Sequence, residues 1–253
     1  MDIASLGGLI IGVGAVLLAF FMEGGRMTSL FHLPAVILVL FGTIGAATVT
    51  TSLRTLLNIP KVLKIVFARQ YGDAMAIIDR IVNLAEKARR EGILGLERNQ
   101  RETRDPFFKK AIQLVIDGTE VTQLRNILET EIIYIGERHK TGILFFQKLG
   151  GFSPTLGIIG TVLGLIHALS QVEEANKIAG AIAGAFIATL WGIAMANLCY
   201  LPISDKLRYR HQQESKTLAL ILEGMISIQS GESPRIIRNK LLSFITPKQR
   251  PEI

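Results

Sequence analysis

The chain has 253 residues, of which 49% are hydrophobic and 19% are charged, and its formal net charge is +7. Its positive mean hydropathy of +0.39 favours a membrane protein. The sequence contains no G-x-x-x-x-G-K-[ST] phosphate loop, no Cys/His cluster with metal-ligand spacing and no nucleophile elbow, and its single cysteine excludes an internal disulfide. We therefore predict a protein that is not an enzyme, holds no metal or cofactor, and is not an ATP-driven pump.

The chain opens with two uncharged runs, at 3–22 and 33–53. Each has at least 20 residues, which is enough to cross a bilayer at ~1.5 Å per residue. No Lys or Arg precedes Arg26, so the first run lacks the basic start of a cleaved signal peptide and we expect it to be retained. These runs predict a transmembrane hairpin over 1–53, with a short polar turn around His32.

The segment 54–147 is polar and has helical periodicity. Asp73 is the predicted N-cap of an amphipathic helix that runs to Arg90. A second helix is marked by Asp105-Pro106 at its start and by Gly118 just past its end. We predict a helical cytoplasmic domain over 54–147.

Two further uncharged runs follow at 149–172 and 178–204, and they predict a second transmembrane hairpin over 148–203. Pro154 lies near the start of the third span, after an expected break at Gly150-Gly151, and Pro202 is expected to end the fourth. Both spans carry small residues at helical spacing, which lets two backbones approach closely. These residues are Gly157, Gly160 and Gly164 on the third span and Gly180, Gly184, Ala188, Gly192 and Ala196 on the fourth.

The last segment, 204–253, reads as an amphipathic helix over 205–229 and a short helix that begins at Ser233-Pro234. The segment from 54 to 148 and the tail hold 26 of the 28 Lys and Arg residues, whereas each hairpin loop holds one. The positive-inside rule therefore places this segment, the tail and both termini in the cytoplasm, and it explains the net charge without a nucleic-acid partner. The predicted fold is an all-α membrane protein with four transmembrane helices, a large helical cytoplasmic domain between helices 2 and 3, and a helical C-terminal tail.

None of the four uncharged runs contains Asp, Glu, Lys or Arg. Thr161 on the third span and Thr189 on the fourth offer hydroxyl groups, and His167 is an ionisable side chain deep in an apolar run. Hydroxyls can guide a cation but cannot supply its countercharge, and a proton pathway would lack the usual carboxylate. The alternative for each threonine is a hydrogen bond back to its own helix.

Four stretches of the chain match a known family. The run 154–165, Pro-Thr-Leu-Gly-Ile-Ile-Gly-Thr-Val-Leu-Gly-Leu, and the run 196–207 resemble the third and fourth helices of MotA/PomA stator subunits of the bacterial flagellar motor. The N-terminal residues 1–7 and the tail residues 224–237 are also similar to that family, so the resemblance covers essentially the whole chain. It implies a multi-pass protein of the bacterial inner membrane, surrounded by lipids, in which ion flow generates torque on the rotor protein FliG.

The resemblance also implies partners and coupling residues. A homopentamer of this chain would surround two MotB/PomB-type one-span subunits, each of which brings the ion-carrying Asp that the uncharged runs lack. Arg89 and Glu97 match the charged family pair that faces FliG; the alternative is a solvated surface with no partner. Pro154 and Pro202 match the two family prolines, where a bend would couple ion binding to movement of the cytoplasmic segment.

The same resemblance bears on the transported ion, which is Na⁺ or H⁺. Thr161 and Thr189 match the two threonines of PomA-type sodium stators, and a threonine on each of two facing helices would supply neutral oxygens to sodium. These residues favour sodium. His32 stands where sodium-type members often carry Asp, which argues against an ion-access role at that position.

Two other functions remain open at this point. An ExbB/TolQ-type proton-driven energiser of an envelope system has a similar Gly-Thr-Val helix, but such proteins usually have three spans, so the first hairpin and the Arg89/Glu97 pair argue against it. The other function is that of a passive scaffold or channel, which would bind a partner without transducing energy.

Overall fold

We analysed a computed structural model, which describes residues 3–67, 73–170, 175–247 and 250. The described residues form helices joined by short turns, with no β-strand among them. They group into two compact units. The first unit comprises Met1–Arg69 and His139–Tyr209, and the second comprises Gln70–Arg138 and Arg210–Ile253. The all-helical prediction is confirmed.

The packing boundaries differ from the predicted domain boundaries. We predicted divisions after residues 53, 147 and 203, where the apolar runs end, whereas the compact units divide after residues 69, 138 and 209. The difference arises because Val66, Ile143 and Leu207, which lie beyond the apolar runs, are buried in the same core as Ala47. The membrane boundaries themselves stay predictions.

The first unit begins with three helices: α1 (Ile3–Met22), α2 (Leu33–Val49) and α3 (Leu53–Phe67). The second uncharged run was predicted to form one span over 33–53, and this is wrong for its last residues. The Thr50 hydroxyl donates to the Ala47 carbonyl at 2.8 Å and ends α2. A new helix then begins at Leu53, so α2 is 17 residues long.

Helix α7 (Val121–Leu169) has 49 residues and contains Pro154. The expected break at Gly150-Gly151 is absent, because the helix continues through both glycines. Gly150 instead faces the Leu201 side chain, which occupies the space where its Cβ would lie. The glycine therefore serves close packing between helices rather than a turn.

The helix formed by the fourth uncharged run continues past Pro202. Helix α8 (Ala175–Ala194) leads through a π-helical turn (Met195–Tyr200) into α9 (Leu201–Gln229). We expected Pro202 to end this helix, and that expectation is wrong. The Leu201 N–H bonds to the Ala196 carbonyl five residues back, and this wider turn leaves room for a proline ring that would clash in a regular helix.

Three helices among the described residues are long and apolar enough to cross a membrane, namely α1, α7 and the continuous helix formed by α8 and α9. Helix α2 is apolar but shorter. Large apolar side chains face outward along α1, including Ile10, Ile11 and Phe21. Lipid is the environment in which such a surface is stable, so we treat the first unit as membrane-embedded.

The second unit also contains α4 (Ala74–Glu91), α5 (Glu97–Glu102), α6 (Pro106–Ile116) and α10 (Pro234–Leu242). The predicted helix starts are confirmed: the Asp73 carboxylate accepts from the Met75 N–H at 3.1 Å and Asp105 accepts from the Phe108 N–H at 2.7 Å. Ser233 likewise accepts from the Ile236 N–H. The core is aliphatic, and its fully buried side chains include Ile78, Ile81, Leu84, Ile112, Leu128, Met225 and Leu241.

Candidate functional site

Helices α7 and α8 meet through backbone rather than side chains. A Cβ added at Gly157 would lie 2.9 Å from the Ala188 carbonyl oxygen and 3.2 Å from the Gly192 Cα. A Cβ added at Gly164 would lie 2.7 Å from the Ala185 Cβ. The glycines therefore permit the close approach predicted from their spacing, and we call this contact the glycine seam. Its residues are Gly157, Gly160 and Gly164 of α7 and Ala185, Ala188 and Gly192 of α8.

The structure brings Thr161 and Thr189 together in the glycine seam. Their hydroxyl oxygens are in direct hydrogen-bond contact. The Thr161 Oγ1 also lies 3.0 Å from the Ala185 carbonyl oxygen and 3.1 Å from the Gly157 carbonyl oxygen. The last of these is the bond to its own helix that we considered as the alternative, so both geometries occur at one hydroxyl.

Four neutral oxygens thus converge where the two helices are closest. The Thr189 Oγ1 is 3.5 Å from the Gly157 carbonyl, so this carbonyl is near both hydroxyls. The two hydroxyl groups have only two protons to donate. The oxygen lone pairs that accept neither proton are available to a cation. The cluster can therefore coordinate a cation in part, but it carries no charge to neutralise it.

A buried serine lies beside each of the two prolines, and the sequence patterns did not predict a role for either serine. Ser153, which precedes Pro154, is fully buried and donates its hydroxyl to the Gly192 carbonyl at 2.9 Å. Ser204, two residues after Pro202, is buried and donates to the Ile143 carbonyl at 3.0 Å. The sequence signal that could have identified both serines is a serine within two residues of a proline in an apolar run. These bonds tie the helix segment around each proline to a facing helix of the first unit.

The loop between α1 and α2 is pinned to α8. The indole N–H of Trp191 donates to the Leu30 carbonyl at 2.7 Å, and the Phe31 and Trp191 rings lie 6.0 Å apart. The His32 ring lies over Gly184, where an added Cβ would be 3.0 Å from its Nε2. His32 is thus held beside the fourth uncharged run. The His167 side chain is exposed.

Arg89 and Glu97 lie on the surface of the second unit. Arg89 is exposed near the end of α4, and Glu97 is exposed at the start of α5, with its carboxylate 3.7 Å from Arg101. Among the described residues no ion pair joins Arg89 to Glu97. Between them Gly92 adopts φ 78° and ψ 170°, and a 3₁₀ turn leaves the Leu94 side chain 69% exposed. The turn therefore presents one apolar side chain to solvent between the two charges, and a single exposed leucine is ordinary on a protein surface.

Comparisons with known proteins agree over the whole chain. The profile of the MotA/TolQ/ExbB proton channel family matches residues 99–219, and the profile of the motility protein A N-terminal region matches residues 6–92. Motility protein A of Borreliella burgdorferi is 34% identical over 253 residues, which is all of this chain and 97% of that protein.

Two solved structures are similar along their full length. The structure of C. jejuni MotAB matches with a TM-score of 0.94 and 28% identity, covering 100% of this chain and 99% of that chain. The flagellar MotAB stator complex from Bacillus subtilis matches with a TM-score of 0.93 and 30% identity, covering 98% of both chains. With both profiles, a full-length relative and two full-length structures in agreement, the chain belongs to the motility protein A group of the MotA/TolQ/ExbB family.

Proposed function

We propose that the chain is a stator subunit of the bacterial flagellar motor, which conducts ions together with a MotB/PomB-type one-span partner and exerts torque on the rotor protein FliG. The hydroxyl cluster in the glycine seam is the observation that carries this proposal. It offers oxygen ligands in a membrane-embedded unit but no carboxylate, which is the arrangement expected of a channel completed by another subunit. The similarity to MotAB complexes supports the same partner and a homo-oligomer, for which the family implies five copies.

The proposed topology has four spans in the inner membrane and both termini in the cytoplasm. Helix α2, with 17 residues, reaches the lower end of the about 17–25 residues that a spanning helix needs. The strong excess of Lys and Arg between the second and third uncharged runs and in the tail supports this orientation. The match of residues 6–92 to the motility protein A profile favours a stator over an ExbB/TolQ-type energiser.

We favour sodium as the coupling ion. Sodium must exchange hydration oxygens for protein oxygens, and the four oxygens around Thr161 and Thr189 supply neutral ligands beside the partner's carboxylate. A proton needs only a titratable group and a water chain, so it makes no comparable demand for this cluster.

Swimming speed tests the proposal in cells that depend on this chain and its partner. Speed is measured across a sodium series at fixed pH, with and without a protonophore. We expect speed to rise with sodium and to survive the protonophore. Speed that ignores sodium and collapses with the protonophore would identify a proton stator, and absence of motility under every condition would contradict the stator function itself.

The proposed rotor contact is the surface around Arg89 and Glu97, and the proposed coupling residues are Pro154 and Pro202. The exposure of both charged side chains leaves them accessible to a protein partner. The hydrogen bonds of the serines beside both prolines support the coupling role. They connect the helix segment around each proline to the helix that it faces, so that the two move together.

A further inference from the structure

Helix α3 lies at one end of the membrane-embedded unit. It begins at Leu53, directly after the turn that ends α2. Towards its other end, Val66 lines a cavity together with Ser5 and Gly8 of α1. The start of α1 and the end of α2 are on the same side of the membrane, because the two spans form a hairpin. Both ends of α3 are therefore at one membrane boundary, and the helix runs along that boundary.

The inner face of α3 is apolar and packed. Leu56, Ile59 and Leu63 pack against the buried core of the first unit. The Val62 side chain lies 3.1 Å from the place where a Gly142 Cβ would stand on α7. Because these residues recur at helical spacing, they determine which side of α3 faces the core and which side faces outward.

The outer face of α3 carries a basic stripe, which we define as Arg54, Lys61 and Lys64. All three side chains are exposed, and their spacing of seven and then three residues places them on one side of the helix. The stripe extends about 15 Å along the helix axis. Leu53 and Leu57 lie beside it and are 69% and 71% exposed. Cations combined with exposed leucines are typical of a helix that lies at a membrane surface.

The basic stripe has no carboxylate near it in the sequence. No Asp or Glu occurs between Glu23 and Asp73. None of the ion pairs among the described residues includes Arg54, Lys61 or Lys64. The three charges are therefore available to anions from outside the described part of the chain.

We propose that the basic stripe binds the headgroups of anionic phospholipids, while Leu53 and Leu57 reach into the apolar part of the same leaflet. Lysine and arginine suit this position, because their apolar stems lie along lipid while their charged ends reach the phosphates. Charge complementarity favours anionic over zwitterionic lipid, and the course of α3 along the membrane boundary favours lipid over an acidic protein. The site requires only that the first unit lies in a bilayer, and its test does not depend on ion flow or motility.

The test uses the full-length chain, purified with its partner subunit and reconstituted into phosphatidylcholine vesicles. Trace amounts of phosphatidylglycerol or phosphatidylcholine are added, each carrying the same photoactivatable group near its headgroup. After illumination, lipid adducts on the peptides that contain α3 are quantified by mass spectrometry. In the wild type we expect a higher yield for the phosphatidylglycerol probe, and equal yields for the two probes overturn the proposal.

Neutralising the stripe should remove this preference for phosphatidylglycerol. Each of Arg54→Gln, Lys61→Gln and Lys64→Gln should lower the ratio of the two yields about twofold to fivefold, and the triple variant should make the yields equal. The charge-preserving variants Arg54→Lys and Lys61→Arg should keep the ratio of the wild type. A triple variant that keeps the wild-type ratio contradicts the proposal.

The matched control is a second triple variant, Arg104→Gln with Lys109→Gln and Arg235→Gln. It removes the same formal charge from exposed positions of the second unit, and it should leave the ratio of the two yields unchanged. Equal losses in both triple variants would show that the preference reports the net charge of the protein instead of the basic stripe, and would overturn the proposal.

Two measurements on the wild type need no substitution and decide the matter even if the triple variant fails to fold. Added salt should reduce the preference for phosphatidylglycerol, because salt screens exposed charges, and a preference that ignores salt contradicts the proposal. A carbodiimide, which joins ammonium groups to adjacent carboxylates, should not cross-link Lys61 or Lys64 to another protein chain. Such a cross-link would show that an acidic protein surface covers the stripe, and would overturn the proposal.

Discussion

The hydroxyls of Thr161 and Thr189 meet because the residues around them have almost no side chain. The sequence predicted that the two threonines lie on neighbouring helices, since each belongs to a run with small residues at helical spacing. It could not predict that their hydroxyls touch, because helical spacing places a residue on a face but does not determine how far one helix is shifted along the other. The glycine seam determines that shift.

Removing either hydroxyl should lower the apparent affinity for sodium without preventing assembly. In Thr161→Ala and in Thr189→Ala we expect the sodium concentration for half-maximal swimming speed to rise about threefold to tenfold, the effect of losing one neutral ligand or hydrogen bond. Because the two hydroxyls share hydrogen-bond partners, the double variant should raise this sodium concentration by less than the product of the two single increases.

Thr155→Ala is the control for these variants, because Thr155 is exposed on the same helix and its hydroxyl bonds to the Phe152 carbonyl of that helix at 2.7 Å. If both seam variants keep the sodium requirement of the wild type, the two threonines contribute only to helix packing.

Arg89 and Glu97 should act together on the rotor. Exposed charges contribute only about 0–1 kcal/mol each, so single neutralisations should reduce torque mildly. Reversing both, as Arg89→Glu with Glu97→Lys, should abolish or strongly reduce torque in tethered cells while membrane levels stay normal.

Lys110 and Glu131 provide the control for this reversal, since they form a pair 2.5 Å apart elsewhere on the second unit. Swapping their charges should leave torque near that of the wild type. Normal torque in the Arg89/Glu97 reversal would favour the solvated-surface interpretation.

At the scale of helices and turns, Gly92 determines the path between Arg89 and Glu97. Its φ of 78° and ψ of 170° belong to a region that is essentially restricted to glycine and costs other residues about 1–3 kcal/mol. Gly92→Ala should therefore lower the apparent melting temperature of the solubilised complex by about 5 °C. Torque should fall as well, because the 3₁₀ turn and Leu94 shift with the backbone.

Gly118→Asn is the control for Gly92→Ala. Gly118 follows α6 with φ 69°, a left-handed conformation that asparagine tolerates. It should change the melting temperature little. An equal loss in both variants would show that the Gly92 conformation has no special cost.

The two prolines lie inside continuous helices, and the serine beside each one bonds to a facing helix. Pro154→Leu and Pro202→Leu restore a backbone N–H without removing the Ser153 or Ser204 bonds, so both variants should reach the membrane. We expect ion flux to persist while rotation is reduced or lost, measured as flux in vesicles and rotation of tethered cells. Normal rotation in both variants would reduce the prolines to helix punctuation.

Helix starts were predictable and helix ends often were not. Asp73, Asp105 and Ser233 mark helix starts through local hydrogen bonds that the sequence contains in full. Gly150 and Pro202 are helix breakers by local propensity, but contacts distant in sequence and a π-helical turn keep them inside helices. Local signals are therefore reliable only where the deciding partner is also local.

At the scale of the whole molecule, the four uncharged runs of the sequence contain no carboxylate that could complete the proposed ion pathway. An unpaired charge at the bilayer centre costs at least about 2.5–3.5 kcal/mol, which neutral hydroxyls do not offset. Vesicles that contain this chain alone should therefore show ion flux no higher than protein-free vesicles. Co-reconstitution with the one-span partner should produce flux, and a partner with Asn in place of its membrane Asp is the control. Specific flux from this chain alone would contradict the proposed division of labour.

Membrane character and helical content were predictable at this scale because hydrophobic runs and charge bias are properties of sequence. The two compact units were not, because each combines segments that are far apart in the chain.

The glycine seam also limits which substitutions this protein can tolerate during evolution. At Gly160, an added Cβ would meet the side chain of Ala188, so a mutation to alanine there has a compensating change available in Ala188→Gly. At Gly157 the obstacle is the Ala188 carbonyl and the Gly192 Cα, which are atoms that every amino acid possesses. Trimming a neighbouring side chain cannot make room there, so a larger residue at position 157 requires one helix to move away from the other, which would also separate the Thr161 and Thr189 hydroxyls.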